Sequence, residues 1–328
     1  VQTSPVVKVL AAWVLAILLI VACCSALVAA MNSRLYSPEH RVERYLGALQ
    51  EGDGGQALGL LDAAVPEGVD PSLLDGDALR AASAPLEDIE VQDARDTGAD
   101  RVEVPVSYQL DGAAQTTLFE LEQTGTTWGV FDVWEFTRTT LPTLRISAPT
   151  LDMATVNGMD VGLGDGATDL ASFYPAIVTA QVSGPYLTSP QQQAVVTGSG
   201  DTPAQLDLAT TTTPELEQAV TDRVHAFLDS CAAQAVFQPT GCPFAYVTTE
   251  PVAADVVWTI EEYPSVTIMA EDGGWALAPL EGSARLETTF RDYFSGAETD
   301  ISESIAYQFE ADLTVTGNAV TVTPIVDD

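Results

Sequence analysis

The chain opens on an unbroken apolar run and only later falls into periodic patterns. From Val6 to Met31 the side chains are almost all apolar, Gly and Pro are absent, and no charge lies between Lys8 and Arg34. A helix of about 20 residues crosses a hydrocarbon core of roughly 30 Å. Residues 1–32 are therefore expected to form a single membrane-spanning anchor. Two other readings use the same residues. Ile20-Val21-Ala22-Cys23 loosely fits a lipoprotein signal, with Cys23 as the acylated residue. A cleaved signal peptide fits less well, because the run exceeds the usual apolar length of about 7–15 residues.

Beyond the run the pattern becomes amphipathic. Val42, Tyr45, Leu46 and Leu49 recur at helical spacing, Ser37 can cap and Pro38 suits a first helical position, which predicts a helix over 37–50. "EGDGG" breaks it, "QALGLLDAAV" allows a second short helix, and "VPEGVDPSLLDGD" reads as loop. From Ile89 the period changes to two. "IEVQDA", "DRVEVPVSYQL", "QTTLFELEQ" and "TWGVFDVWEF" predict four strands, separated by the turn clusters "DTGAD", "DGAA" and "TGTT". Helices followed by antiparallel strands predict an α+β domain over 33–141, its sheet curled around the opening helix.

Residues 142–205 read as a β-rich middle domain. Asn157-Gly158 between two apolar runs predicts a hairpin, and "SGDTPAQLDLATTTT" reads as a polar linker. Residues 206–328 repeat the helix-then-strands layout. Thr213 can cap, Pro214 and Glu215 suit a first turn, and Leu216, Val220, Val224, Phe227, Leu228 and Cys231 form one apolar stripe. The expected fold class is α+β: a transmembrane helix, then helix-plus-curved-antiparallel-sheet domains flanking a β-rich middle segment.

Charge narrows the partners. Beyond residue 32 the chain carries 11 Arg and no Lys against 47 Asp and Glu, a net of −36. Nucleic acid binding needs Lys and Arg to displace counterions, so nucleic acid is excluded as a partner. Direct binding to an anionic lipid surface or an anionic wall polymer is expected to be repelled unless divalent cations bridge, and the acidity is expected to keep an exposed domain soluble. Near the membrane the count is equivocal. Lys8 lies on one side of the run, and Arg34, Arg41 and Arg44 lie on the other, which alone slightly favours the large part inside the cell.

The cysteines break that tie. Cys23 and Cys24 lie inside the apolar run, whereas Cys231 and Cys242 have ten residues, "AAQAVFQPTG", between them. The spacing is too wide for a Cys-x-x-Cys redox pair and no further soft ligands are near, so a disulfide is expected. A disulfide persists outside the cytoplasm. The C-terminal domains are therefore expected to be extracellular.

Catalytic constellations are not legible. His40 and His225 belong to different segments, and neither G-x-S-x-G nor H-E-x-x-H occurs. The carboxylate pairs Asp75 with Asp77, Glu87-Asp88, Glu261-Glu262 and Asp327-Asp328 arise by chance at this acidity. Asn157, Asp160, Asp165 and Asp169 sit in a glycine-rich stretch that offers oxygen ligands, but the spacing misses the twelve-residue calcium loop, and a solvated turn is the preferred reading. No metal, no cofactor and no catalytic residue is expected. A cone-shaped domain can leave a pocket at its open end, with Trp128, Trp134, Trp258 and Trp275 as its candidate lining.

"VERYLGALQEGDGGQALGLL" resembles the opening of extracytoplasmic nuclear transport factor 2-like domains, where a "Y-L-x-A-L" helix precedes a "G-D" break. The whole layout resembles the membrane-anchored, multi-domain surface proteins of Gram-positive bacteria, among them the teicoplanin-resistance-associated proteins. The low Lys and high Ala, Asp, Thr and Val usage is similar to actinobacterial members. The resemblance implies cone-like domains strung outside the cell from one membrane helix. The expected function is a non-enzymatic scaffold, sensor or binding protein of the cell envelope, whose partners are the bilayer and envelope proteins. The alternative is a small-ligand-binding or hydrolytic protein that uses a pocket in one cone.

Overall fold

A computed structural model describes residues 5–110, 112–149, 151–199, 204–271 and 274–326. The pair Asp327-Asp328, Asp111 of the "DGAA" turn and residues 200–203 of the expected linker lie outside these. The architecture is mixed α and β, with an N-terminal apolar helix and a sheet curled into a half-barrel.

Helix α1 spans Pro5–Asn32, and its stretch Trp13–Asn32 is 20 residues long and apolar, with none of its residues buried. It is long and apolar enough to span a membrane by length and composition. Helix α2 (Pro38–Glu51) starts where the Ser37 side chain accepts a hydrogen bond from the His40 amide. It stops at Gly52, whose φ of 72° suits glycine. Helix α3 (Gly54–Leu61) is capped by Asp53, which accepts from the Gln56 amide at 2.9 Å.

The stretch read as loop ends in a further helix, α4 (Gly76–Ser83). Its apolar side is only Ala78, Leu79 and Ala82, too short a stripe to stand out. It forms because Leu79 packs into the first core and Ser83 Oγ donates to the Leu49 carbonyl at 3.1 Å.

Five strands follow: β1 (Glu87–Val91), β2 (Arg95–Gly98), β3 (Arg101–Leu110), β4 (Ala113–Thr127) and β5 (Phe131–Phe136). The sheet order is β1-β3-β4-β5, with β2 also paired to β3. The "DTGAD" cluster, expected as a turn, thus contains a short strand as well. Val104, Val106, Tyr108 and Leu110 alternate along β3 onto the buried face, opposite Phe119 and Leu121 of β4. Strand β4 also runs further than its pattern suggests. A register shift at Gly125 lets pairing continue to Thr127, and the turn falls on Trp128-Gly129-Val130 instead of on "TGTT".

Tyr45 of α2 fills the concave face of this sheet. It is fully buried, edge-to-face with Phe119 and Phe136 at 5.6 Å each. The core is completed from outside the unit: Phe173, Tyr174, Ile177 and Val196 belong to the middle segment. Tyr45 Oη donates to the Tyr174 carbonyl at 2.8 Å, and the Tyr174 ring stacks on Phe119 at 5.6 Å.

The middle segment holds β6 (Thr143–Ser147), β7 (Met153–Val156), β8 (Met159–Gly162), β9 (Ala167–Ala171), β10 (Ala176–Gln181), β11 (Gln192–Val196) and β12 (Ala204–Asp207). They form two sheets, in orders β8-β7-β10-β11 and β9-β6-β12. Asn157 and Gly158, at φ of 47° and 78°, make the two-residue turn between β7 and β8. The stretch expected as a polar linker contributes β12, which pairs in parallel with β6. Its Leu206 and Leu208 are buried, and that burial outweighs the polar composition around them.

The last segment sets helix α5 (Pro214–Ala232) against the sheet β13 (Val257–Glu262), β16 (Leu280–Arg291), β17 (Glu298–Thr316) and β18 (Ala319–Ile325), in that order. A separate pair, β14 (Ile268–Glu271) and β15 (Gly274–Leu277), stands beside it. Thr213 caps α5 as its sequence predicts, and Leu216, Val220, Val224, Leu228 and Cys231 are buried. Phe227 is only partly buried, at the rim of the same core.

Phe173→Ala tests the sharing of the first core. It is expected to destabilise the chain by about 3–5 kcal/mol. Hydrogen exchange should speed up at α2 amides, in a segment more than a hundred residues away in sequence. Exchange that quickened only in the middle segment would show that the two do not share a core.

Candidate functional site

The structure disperses the four tryptophans. Trp258 is buried under α5, where its Nε1 donates to the Val236 carbonyl at 2.7 Å. Trp275 is half-buried on β15. Trp128 does not line a cavity. It sits at the tip of the β4–β5 hairpin with φ 59° and is 90% exposed, because β4 carries its pairing past Gly125. Of the four, Trp134 lines the cleft described below.

The concave faces are occupied by the chain's own side chains. Tyr45, Phe119, Phe136 and Phe173 fill the first, and Phe244, Trp258, Tyr307 and Phe309 fill the last beneath α5. Burial, followed by the neighbouring Tyr174, pushes the Tyr45 phenol well above its ordinary pKa, while its bond to the Tyr174 backbone pulls the other way.

The cleft with the most distinctive chemistry lies where α1 meets the first sheet. It holds about 220 Å³. Tyr36, His40, Arg41 and Arg44 line one side, and Thr127, Asp132 and Trp134 line the other. The join between the two sides is bonded. Asn32 Nδ2 donates to the Val130 carbonyl and to Asp132 Oδ2, both at 3.1 Å, and Tyr36 stacks on Phe131 at 4.6 Å.

His40, Arg41 and Arg44 share a face of α2 by their three- and four-residue spacing, in its first two turns. The helix dipole adds partial positive charge there. His40 Nδ1 lies 3.3 Å from Glu43 Oε2, and Asp132 is held by Asn32 and by Gln123 Nε2 at 2.8 Å. Among the described residues Arg41 and Arg44 have no carboxylate within ion-pair distance, whereas Arg80, Arg101, Arg138, Arg145, Arg285 and Arg291 each have one. The buried Nε of Arg41 has no hydrogen-bond partner among them either. Burial lowers the Arg41 pKa first, and then its neighbour Arg44, against a smaller opposing pull from Glu135. Residue-by-residue reading counted these arginines only as charges. The legible signal was their density directly after the apolar run.

The remaining candidates go separate ways. His225 packs its ring on Tyr263 at 4.1 Å. Asn157 is buried, accepts from the Thr179 amide at 2.8 Å and donates to the Ala78 carbonyl of α4 at 3.4 Å, so it joins the middle segment to the first. Asp160 accepts from Thr155 Oγ1, and Asp169 pairs with Arg145 at 3.2 Å. Of the carboxylate pairs, Asp75 accepts from the Gly54 amide, Asp77 pairs with Arg80, Asp88 accepts from Gln109 and Glu261 pairs with Arg285. Among the described residues no three His, Cys, Asp or Glu side chains are grouped to hold a metal ion.

Cys231 and Cys242 form a disulfide with Cα atoms 5.7 Å apart. It ties the end of α5 to the irregular segment that leads to Phe244, which is buried against Trp258 at 4.9 Å. Gln234 braces the enclosed loop by accepting from the Thr240 amide at 2.8 Å.

Comparison with protein-family profiles, with curated proteins and with solved structures finds no match for this chain.

Two stability measurements follow from this geometry. Replacing Cys231 and Cys242 together by Ser is expected to cost about 3 kcal/mol in chemical denaturation, because the short enclosed loop regains its freedom in the unfolded chain. The second concerns alkaline pH. Burial, with smaller contributions from Tyr263 and Glu262, pushes the Tyr307 phenol from 10.0 up to about 12. A raised phenol pKa favours the folded state fully below the unfolded value and loses that contribution as pH rises through the folded one. Stability should therefore fall between pH 10.0 and about 12, and Tyr307→Phe should flatten that decline. An equal decline in the variant would assign it to other groups.

Proposed function

We propose that this chain is a single-pass, membrane-anchored protein of the cell envelope whose folded part lies outside the cytoplasm and acts without catalysis, as a scaffold, sensor or binding module. The observation that carries the reading is the Cys231–Cys242 disulfide in a chain whose α1 is long and apolar enough to span a bilayer. The acidity of the folded part supports it, because an exposed domain of one charge sign stays soluble and repels nucleic acid. The occupied concavities support a scaffold over a ligand-binding or hydrolytic cone. A pocket of that kind needs the space that Tyr45 and its aromatic neighbours fill. On this reading the first segment, helices packed in a half-barrel sheet, is a nuclear transport factor 2-like domain, in keeping with the "VERYLGALQ" resemblance.

Topology can be read by thiol labelling of intact cells, with labelled peptides mapped to Cys231 and Cys242. A membrane-impermeant reagent is expected to modify both only after a reductant opens the bond. Labelling that instead requires permeabilisation and no reductant would place the folded part in the cytoplasm and end the proposal.

A further inference from the structure

The join between α1 and the first sheet carries an assignment that rests on the membrane-anchored reading and deepens it. We propose that the β4–β5 hairpin and the arginine-lined cleft beside it dock on the bilayer from which α1 emerges, with a phospholipid phosphodiester seated against Arg41 and Arg44.

Position is the first argument. The apolar stretch ends at Asn32, and Asn32 is hydrogen-bonded to Val130 in the hairpin turn and to Asp132 just beyond it. The cleft begins only three residues later, at Leu35. A group bonded to the last residue of a spanning helix lies at headgroup depth, where the bilayer gives way to water. The hairpin cannot be far from that level, since its partner in the hydrogen bonds is the helix itself.

The second argument is what the hairpin exposes. Its tip presents Trp128 and Val130, 90% and 45% exposed, and Leu35 beside the helix end is also exposed. In water these side chains gain nothing by this arrangement. Tryptophan and tyrosine are enriched where apolar rings meet headgroups, and the tip residues fit that zone. The other end of the spanning stretch also carries a tryptophan, Trp13.

Charge supplies the third argument. In a folded part of net −36, residues 33–44 carry Arg34, Arg41 and Arg44 against Glu39, which accepts from the Ala94 amide, and Glu43, which lies against His40; none of the three arginines has an ion-pair partner among the described residues. Arginine recognises phosphate oxygens through several N–H groups at once. The cleft, of about 220 Å³, is large enough to admit a phosphodiester group. Asp132 on the opposite wall is already committed to Asn32 and Gln123, and Glu135 acts on Arg41 only from beyond ion-pair distance. The carboxylates of the distant segments act weakly here, because screening at physiological salt is effective beyond about 8 Å. The global acidity therefore repels the bulk of the protein from the membrane while this edge is drawn to it, which orients the folded part.

The full chain reconstituted in nanodiscs of phosphatidylcholine and phosphatidylglycerol tests this in two ways. Trp128 fluorescence, taken as wild type minus Trp128→Phe, is expected to fall roughly twofold when the phosphatidylcholine is brominated near its headgroup, and less with bromine at the bilayer centre. Native mass spectrometry after detergent extraction is expected to find a retained phospholipid, reduced about tenfold in Arg41→Gln/Arg44→Gln and also reduced in Arg44→Gln alone, a substitution at an exposed position. Excess inorganic phosphate should leave the lipid in place. A chain that never enters the disc overturns the anchoring reading. A chain that enters with Trp128 unquenched, or that keeps its lipid in both variants, overturns the docking alone. Complete displacement by phosphate makes the cleft a site for the free ion and overturns the lipid assignment.

Discussion

A curled antiparallel sheet has an apolar hollow that must be covered, and the first one is covered by residues of α2, α3 and α4 together with residues of the middle segment. Tyr45 reaches the centre of that hollow from α2 but leaves its far edge open. Phe173 and Tyr174, from the middle segment, close it, and the Tyr45 hydroxyl is bonded to the Tyr174 carbonyl. The rest of the arrangement depends on this closure. It holds the middle segment against the first, with Asn157 and the Asp70–Asp169 backbone bond as secondary ties. The middle segment then continues into the last core, where Leu187, Leu206 and Leu208 belong to the same apolar cluster as the α5 stripe. Each unit thus borrows cover from its neighbour.

The same logic applies at the other end of the chain. α1 is not followed by a free tether. Asn32, Tyr36 and the β4–β5 hairpin bond and stack within a few residues of the spanning stretch. These contacts join the end of the apolar helix directly to the first sheet. The disulfide holds the far end of α5 in a comparable way, by tying the helix to the segment that delivers Phe244 to the core.

Much of the layout was legible from the chain alone because it depends on local rules. Ser37 and Thr213 cap their helices through side-chain oxygens, and Asn157-Gly158 turns where two successive positive φ angles are needed. Other elements were not legible because distant groups decide them. α4 has only three apolar positions and forms against Leu49 and the first core. β12 lies in polar sequence and forms because β6 offers a parallel edge. Trp128 reads as a strand residue, yet the register shift at Gly125 moves the turn onto it.

By itself the sequence determined the long apolar helix, the capped amphipathic helices, the alternation of the strands and the cysteine pairing, since each follows from spacing, composition or chain length. Tertiary structure alone decided which aromatic rings fill the hollows, which of the four candidate tryptophans faces solvent, and that two unpaired arginines meet in one cleft beside the apolar helix. The physical reason is range. Caps, turns and periodicity act over a few residues, whereas burial and ion pairing are set by neighbours that come from anywhere along the chain.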